Sequence, residues 1–157
     1  MPQPVIGLIG CGFIGRFHSR NLRGSLRSEL VPGEYAAVCD REVSRAEAFA
    51  ALTGAKTVAS DASAVFARAG LNSVYICTET AEHPALVLEA ARRGLNVFCE
   101  KPLAKTLDEV RTMVEAVERA GVVNQVGLVL RYSPVFTVLK GMMSALDLGP
   151  FLSAHLR

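Results

Sequence analysis

Three glycines near the start of the chain have the spacing of a phosphate-binding turn. The apolar run Val5–Ile9 leads directly into G-C-G-F-I-G at residues 10–15, a G-x-G-x-x-G pattern between a strand-like and a helix-like segment. Gly10 would allow a tight turn, Gly12 would let a pyrophosphate approach the backbone, and Gly15 would let the helix pack closely on the sheet. Free N–H groups at the helix start would attract the phosphates. The predicted dinucleotide contacts of this turn are Gly10, Gly12, Phe13, Ile14 and Gly15.

A carboxylate follows the second strand-like segment, Y-A-A-V-C at residues 35–39. Asp40 lies 25 positions after Gly15, where an acidic residue at a strand tip would bind the ribose 2′-hydroxyl of NAD. The alternative is that Asp40 only caps the next turn. Arg41 leaves the choice of cofactor open, because a basic side chain there would attract the 2′-phosphate of NADP. Asp40 would repel that phosphate, so NAD is the favoured prediction and NADP the alternative.

The elements that must position these residues alternate along the chain. Apolar runs predict strands at residues 5–9, 35–39, 56–59, 72–78, 96–99, 122–130 and 151–156. Amphipathic or alanine-rich segments predict helices at residues 13–26, 44–52, 61–69, 84–93, 106–120 and 133–146. This alternation indicates right-handed crossovers and a parallel sheet. The predicted fold is therefore α/β, a Rossmann-type doubly wound parallel sheet with helices on both faces, whose strand tips share one ligand-binding edge.

Local patterns add detail to three of these helices. Phe13 and Phe17 of the first helix are expected to lie near the sheet, with Ser19 facing outward. Ser44 is the expected N-cap of the second helix. Thr106 is the expected N-cap of the fifth, where a glutamate three positions later predicts a capping box.

The composition suits one globular domain and restricts the class of partner. The chain has 157 residues, of which 50% are hydrophobic and 20% charged, and its net charge is +2. This balance and the lack of Trp argue against a nucleic-acid partner, and no apolar run is long enough for a membrane partner. The four cysteines form no C-x-x-C pair, so no metal site is predicted. They are expected to be small buried residues, with a catalytic thiol as the alternative, in a reduced cytoplasmic protein.

Further residues match a known pattern over essentially the whole chain. The most specific is E-K-P at residues 100–102, within V-F-C-E-K-P-L-A after the fifth predicted strand. The other matches are Gly10, Gly12, Gly15 and His18 in G-C-G-F-I-G-R-F-H, Asp40, Thr78 and His83 in C-T-E-T-A-E-H, and Arg131-Tyr132. With these residues the chain resembles the glucose-fructose oxidoreductase, inositol dehydrogenase and rhizopine-catabolism family (Gfo/Idh/MocA) of NAD(P)-dependent oxidoreductases.

The resemblance implies a catalytic role for Lys101 at the nicotinamide end of the cofactor. A lysine beside a reacting hydroxyl can donate a hydrogen bond, polarise the alcohol and relay its proton, and partial burial would help it to do so. The alternative is a surface lysine in a turn. Glu100 would line the cofactor pocket, and Pro102 would shape the turn through a cis Lys101–Pro102 bond.

The remaining predicted cofactor contacts come from strand tips and from the resemblance. Thr78 and Thr80 are candidates for hydrogen bonds to ribose or phosphate, with simple turn roles as the alternative. His83 is another candidate cofactor contact, although a structural role is favoured for it and for His18. Gln125 and Arg131 are predicted near the nicotinamide or the substrate, and a salt bridge or helix cap is the alternative for Arg131.

The chain is predicted to contain two parts. Residues 1–130 would form the NAD(P)-binding domain, and residues 131–157 a linker helix and the first strand of a substrate domain. The resemblance implies a longer protein whose second domain supplies most of the substrate pocket, so we expect this chain alone to bind dinucleotide without turnover. A homo-oligomer is left open for the full-length protein.

The predicted function is hydride transfer between a nicotinamide cofactor and a hydroxyl of a small-molecule sugar or polyol. One alternative is a non-catalytic dinucleotide-binding sensor or regulator of the same fold. A domain for another ligand, such as flavin or a methyl donor, is a second, but it leaves E-K-P unexplained.

Overall fold

The computed structural model describes residues 3–26 and 33–145, which divide into a unit that ends at Gly127 and a second that begins at Leu128. The strands of the first unit are β1 (Val5–Ile9), β2 (Glu34–Cys39), β3 (Thr57–Ala59), β4 (Ser73–Ile76), β5 (Asn96–Cys99) and β6 (Asn124–Val126). Its helices are α1 (Phe13–Leu26), α2 (Val43–Thr53), α3 (Ala62–Phe66), α4 (His83–Arg92) and α5 (Leu107–Ala120). The second unit contains a 3₁₀ turn (Val129–Tyr132) and α6 (Pro134–Ala145).

The six strands form one parallel sheet in the order β3-β2-β1-β4-β5-β6. The predicted α/β doubly wound fold is confirmed. The order reverses at β1, which pairs with β2 on one side and with β4 on the other. A crevice therefore opens beside the carboxyl end of β1, where sheets of this kind bind ligands.

Two apolar clusters lie on opposite faces of the sheet. Leu8 of β1 packs in the cluster that contains Phe49 of α2, whereas the next residue, Ile9, packs with Val87 of α4 and Met113 of α5. Successive strand side chains point to opposite faces, so apolar residues at both positions require helices on both sides. This is why β1 is an unbroken apolar run.

The buried face of α1 differs from the prediction. Phe13 and Phe17 are 86% and 49% exposed, while Ser19 is only 4% exposed. The face is fixed by Gly15, because a Cβ there would overlap the carbonyl oxygen of Gly10. Residues three, four and seven positions after Gly15, including Ser19, then lie toward the sheet. Close backbone approach, rather than the hydrophobicity of the side chains, sets the orientation of this helix.

Two predicted helix caps have different outcomes. The capping box of α5 is confirmed, because Thr106 Oγ1 accepts from the backbone N–H of Glu109 and the Glu109 carboxylate accepts from that of Thr106. The prediction of Ser44 as the cap of α2 is wrong, since this helix begins at Val43 and Glu42 occupies the N-cap position. The physical reason lies before the helix, where Asp40 Oδ1 accepts from the N–H of Glu42 at 2.9 Å and turns the chain earlier.

Several further elements are shorter than predicted or lie outside the described residues. Helix α3 spans five residues, and β6 spans three before Gly127. The predicted seventh strand at residues 151–156 lies outside the described ranges. Within the described ranges, no helix has the length and apolar character needed to cross a bilayer.

Candidate functional site

A row of backbone hydrogen bonds aligns the carboxyl ends of the strands. The first residue past each of five strands donates its N–H to the last residue of the neighbouring strand, over 2.8 to 3.2 Å. These donors are Gly10, Asp40, Cys77, Glu100 and Gly127. The predicted shared edge is thus present, and it brings the glycine turn, the acidic residue after β2 and the E-K-P segment into one row.

The glycine turn opens onto a cleft at this edge. Gly10 has a φ of +97°, and a Cβ on it would lie 2.5 Å from the carbonyl oxygen of Cys77, so only glycine fits beside the tip of β4. Gly12 is different, because a Cβ on it would meet no protein atom within 4 Å. Its open side faces space that a ligand can occupy. The first N–H groups of α1, from Phe13 onward, have no partner within the helix and can bind an anion there.

The Asp40 carboxylate connects the glycine turn to the tip of β2 through a hydrogen bond. Its Oδ2 accepts from the N–H of Cys11 at 2.8 Å, and its Oδ1 accepts from the N–H of Glu42 at 2.9 Å. The turn-forming alternative from the sequence is therefore present in the structure. Each carboxylate oxygen keeps a second lone pair, so a ribose hydroxyl could bind without displacing either contact. The ribose contact itself stays a prediction.

The cleft has a volume of about 990 Å³, within the range of cofactor pockets. Seven predicted site residues line it, namely Gly10, Gly12, Phe13, Ile14, Asp40, Arg41 and Thr78. Gly15 lies behind the turn, and six others lie outside the lining, namely Thr80, His83, Glu100, Lys101, Pro102 and Gln125. Arg131 belongs to the second unit, in its 3₁₀ turn. Cofactor roles for these residues stay predictions.

Lys101 stands on a turn that a buried carboxylate holds in place. Glu100 is 4% exposed, its Oε2 accepts from the N–H of Lys101 at 2.9 Å, and its Oε1 lies 2.5 Å from Nε2 of His18 on α1. The Lys101–Pro102 bond is cis, as proposed from the sequence. Glu100 thus links α1 to the Lys101 turn inside the protein and is not part of the cleft lining. Lys101 itself is exposed, as in the alternative of a surface lysine in a turn, and its catalytic role stays a prediction.

His83 joins the tip of β4 to the same turn. The ring is 1% exposed, with Nδ1 at 3.0 Å from the carbonyl oxygen of Pro102 and Nε2 at 3.1 Å from that of Thr78. A neutral imidazole can donate to only one of these two carbonyls. Donation from Nδ1 bonds the start of α4 to the Lys101 turn, whereas donation from Nε2 bonds it to the tip of β4. This geometry matches the structural role that was favoured from the sequence.

Comparison with protein families decides which family this site belongs to. A family model described as "Oxidoreductase family, NAD-binding Rossmann fold" matches residues 5–128. The chain belongs to the Gfo/Idh/MocA oxidoreductase family. The resemblance, the Rossmann fold and the NAD cofactor predicted from the sequence are confirmed.

Relatives in this family include enzymes that act on sugars and polyols. The chain is 33% identical over 148 residues to scyllo-inositol 2-dehydrogenase (NAD(+)) of Bacillus subtilis, which covers 94% of this chain and 42% of that protein. It is 31% identical over 147 residues to the uncharacterized oxidoreductase YrbE of the same organism, with the same coverage. The chain therefore spans about two fifths of the length of these relatives.

Solved structures of similar proteins share the fold. An oxidoreductase from Agrobacterium radiobacter, crystallised with NAD+, L-tartaric acid and magnesium, has a TM-score of 0.80 and 30% identity over 95% of this chain and 42% of that one. The myo-inositol 2-dehydrogenase of Lactobacillus plantarum has a TM-score of 0.82 and 25% identity over 94% of this chain and 43% of that one. In both cases the match covers the Gfo/Idh/MocA cofactor domain described above.

Sequence reasoning missed several charged residues of the cleft. Glu79 and Glu82 line it from the segment after β4, and Arg45 lines it from α2. The only available signal was the acidic composition of the segment at the fourth strand tip. That signal does not show which cation the glutamates approach, because the contact depends on the order of the strands.

The four cysteines are buried thiols. Burial raises the pKa of Cys11 to about 12 and that of Cys39 to about 11, and it also raises the pKa of Cys77 and Cys99. Such thiols stay protonated near neutral pH and are poor nucleophiles. The core role favoured from the sequence fits this geometry better than a catalytic thiol. Among the described residues, no three His, Cys, Asp or Glu side chains are grouped so as to hold a metal ion.

Gly12→Ala tests whether the open side of the turn receives the cofactor. The new methyl group meets no protein atom, so the midpoint of urea unfolding should not change. The affinity for NADH should fall at least about tenfold, because the methyl group keeps the pyrophosphate from the backbone. Fluorescence titration with NADH measures this. Gly24→Ala, in an exposed and equally open position on α1, is the control and should leave the affinity unchanged. Full affinity in Gly12→Ala would place the pyrophosphate elsewhere.

His18→Ala tests the contact between His18 and the buried carboxylate of Glu100. It leaves the buried Glu100 carboxylate without one of its two partners, and the free energy of unfolding should fall by about 3 kcal/mol. His18→Gln keeps an N–H donor and should lose clearly less stability. Urea denaturation measures both variants. The control is Arg111→Ala, which breaks an exposed ion pair with Asp108 and should leave the midpoint unchanged. Equal losses in both His18 variants would mean that ring packing, rather than the hydrogen bond, stabilises this region.

Proposed function

We propose that the chain is the cofactor-binding part of an NAD-dependent dehydrogenase that transfers hydride between nicotinamide and a hydroxyl-bearing carbon of a sugar or polyol. The observation that carries the proposal is the placement of the glycine turn, Asp40 and the Lys101 turn along one sheet edge. The names of relatives support the substrate class. Besides the scyllo-inositol enzyme, D-apiose dehydrogenase of Paraburkholderia graminis is 38% identical over 127 residues, 81% of this chain and 32% of that protein.

The residues of the cleft fit a dinucleotide. Backbone N–H groups at the start of α1 and the open side of Gly12 suit the pyrophosphate, which needs close backbone approach and a partial positive charge. The oriented carboxylate of Asp40 suits the ribose hydroxyls, which are hydrogen-bond donors. When bound, the nicotinamide ring supplies the hydride acceptor or donor. The remaining chemistry has to come from protein side chains.

Lys101 is the proposed proton carrier of the reaction. Its backbone is fixed by Glu100, while its exposed amine is free to approach a substrate. In the oxidation direction, a neutral Lys101 amine accepts the hydroxyl proton as the carbon loses hydride. In the reduction direction, the ammonium donates a hydrogen bond to the carbonyl oxygen and then its proton. A backbone held by Glu100 and an exposed amine suit both steps.

Asp40→Asn tests the ribose contact. An amide retains one acceptor but loses the charge that strengthens a bond from a hydroxyl, so the affinity for NADH should fall about tenfold, or about 1.4 kcal/mol. Isothermal titration of this chain with NADH measures the change. Asp108→Asn, which removes an exposed carboxylate from α5, is the matched control. If Asp40→Asn binds NADH as tightly as the wild type, the carboxylate serves the turn alone.

Lys101→Met tests catalysis separately from binding. In a chain extended to include the predicted substrate domain, NADH affinity should persist, while turnover of an inositol or aldose substrate should fall at least about 100-fold, as for loss of a general acid–base group. Turnover is measured as the steady-state rate of change of NADH absorbance with each member of a panel of polyols and sugars. Lys105→Met, a nearby exposed lysine, is the control. Turnover that survives in Lys101→Met would exclude this lysine as the proton carrier. A wild-type protein that binds NADH but oxidises no substrate would favour the sensor alternative.

A further inference from the structure

We propose that Glu79 and Glu82 direct the cofactor choice toward NAD by engaging the guanidinium of Arg41, the residue that would otherwise bind the 2′-phosphate of NADP. The inference rests on the proposed function and adds two specificity-determining residues to it. It also addresses the choice that Asp40 and Arg41 left open in the sequence.

The guanidinium of Arg41 points to the segment after β4. Its Nη2 lies 2.9 Å from Oε1 of Glu79, and its Nη1 lies 3.8 Å from Oε1 of Glu82. All three residues line the cleft. Arg41 itself follows the tip of β2, and β1 lies between β2 and β4 in the sheet. The ion pair therefore crosses the carboxyl end of β1, the strand that leads into the glycine turn.

The charges that line the cleft are mostly negative. Its carboxylates are Asp40, Glu42, Asp61, Glu79 and Glu82, and its guanidinium groups are Arg41 and Arg45. Arg45 is also engaged, with Nη2 at 2.7 Å from Glu42 and Nη1 at 3.9 Å from Asp40. In the part of the chain that the structure describes, no lysine lines this cleft. Both guanidinium groups thus already face carboxylates.

A 2′-phosphate would meet a cost here that a 2′-hydroxyl does not. To bind the Nη edge of Arg41 it would compete with Glu79 and Glu82, and both carboxylates would remain close to the new negative charge. Arginine gains little from exchanging one anionic partner for another. The Arg41 and Glu79 side chains are 71% and 73% exposed, and such pairs contribute little to folding. The pair is therefore not needed for folding, and its place in the cleft lining leaves it available for ligand discrimination.

The experiment compares NADH and NADPH affinities of the full chain by fluorescence titration. The double variant Glu79→Gln/Glu82→Gln releases Arg41 and removes two negative charges. The ratio of NADPH affinity to NADH affinity should rise about tenfold, the size expected for one charge-assisted hydrogen bond. Adding Arg41→Ala to this variant should abolish the gain. The matched control, Glu115→Gln/Glu118→Gln, makes the same change of net charge on exposed positions of α5 and should leave the ratio unchanged.

The outcomes separate this inference from the proposed function. An unchanged ratio in the double variant, or a gain that persists without Arg41, overturns the inference even though NADH binds. A gain of similar size in the α5 control also overturns it, because net charge alone would then explain the change. If the wild-type chain binds neither dinucleotide, the proposed function fails and this inference fails with it.

Discussion

The register of the parallel sheet at its carboxyl edge is the constraint on which the rest of the structure depends. Five of the six strands end where the next residue donates its N–H to the neighbouring strand end, so the residues that follow are placed in one row. Gly10 shows how little freedom this leaves, because even one methyl group there would press on the carbonyl of Cys77. The fold therefore does not need long-range side-chain contacts to gather the site. It needs strands that end in register and functional residues immediately after them.

One carboxylate connects the two chemical ends of that row. Helix α1 presents its first N–H groups to the cleft, and its second turn carries His18, which contacts Glu100. The other oxygen of Glu100 holds the backbone of Lys101. A Cβ on Gly127 would lie 2.6 Å from Glu100 Oε1, so the edge of β6 also makes room for this carboxylate. The helix that suits the pyrophosphate and the turn that carries the lysine are thus joined through a single buried group.

The fold class, the shared edge of strand tips and features set by sequence neighbours could be predicted, whereas particular contacts that form only in the assembled sheet could not. The bounds of α1 and the Thr106 capping box follow from local patterns, and both are correct. The buried face of α1 was mispredicted because it is set by contact of Gly15 with the Gly10 backbone, which outweighs two phenylalanines. The contact of Arg41 with Glu79 joins residues 38 positions apart and requires β1 to lie between their strands. No local sequence pattern shows that β1 lies between β2 and β4, so this contact could not be predicted.

The distribution of charge in the cleft divides recognition of a dinucleotide between backbone and side chains. Attraction for the pyrophosphate comes from N–H groups and the helix dipole, which act on any phosphate that reaches the turn. The guanidinium groups that line the cleft face carboxylates, so they add little attraction for a further phosphate. On the proposed function, selectivity would then arise at the ribose, where Asp40 would accept from hydroxyls and the surrounding carboxylates would disfavour an anion. On this proposal, the backbone would attract any phosphate, the side chains near the ribose would disfavour a further one, and the cleft would prefer a ligand with two phosphates to one with three.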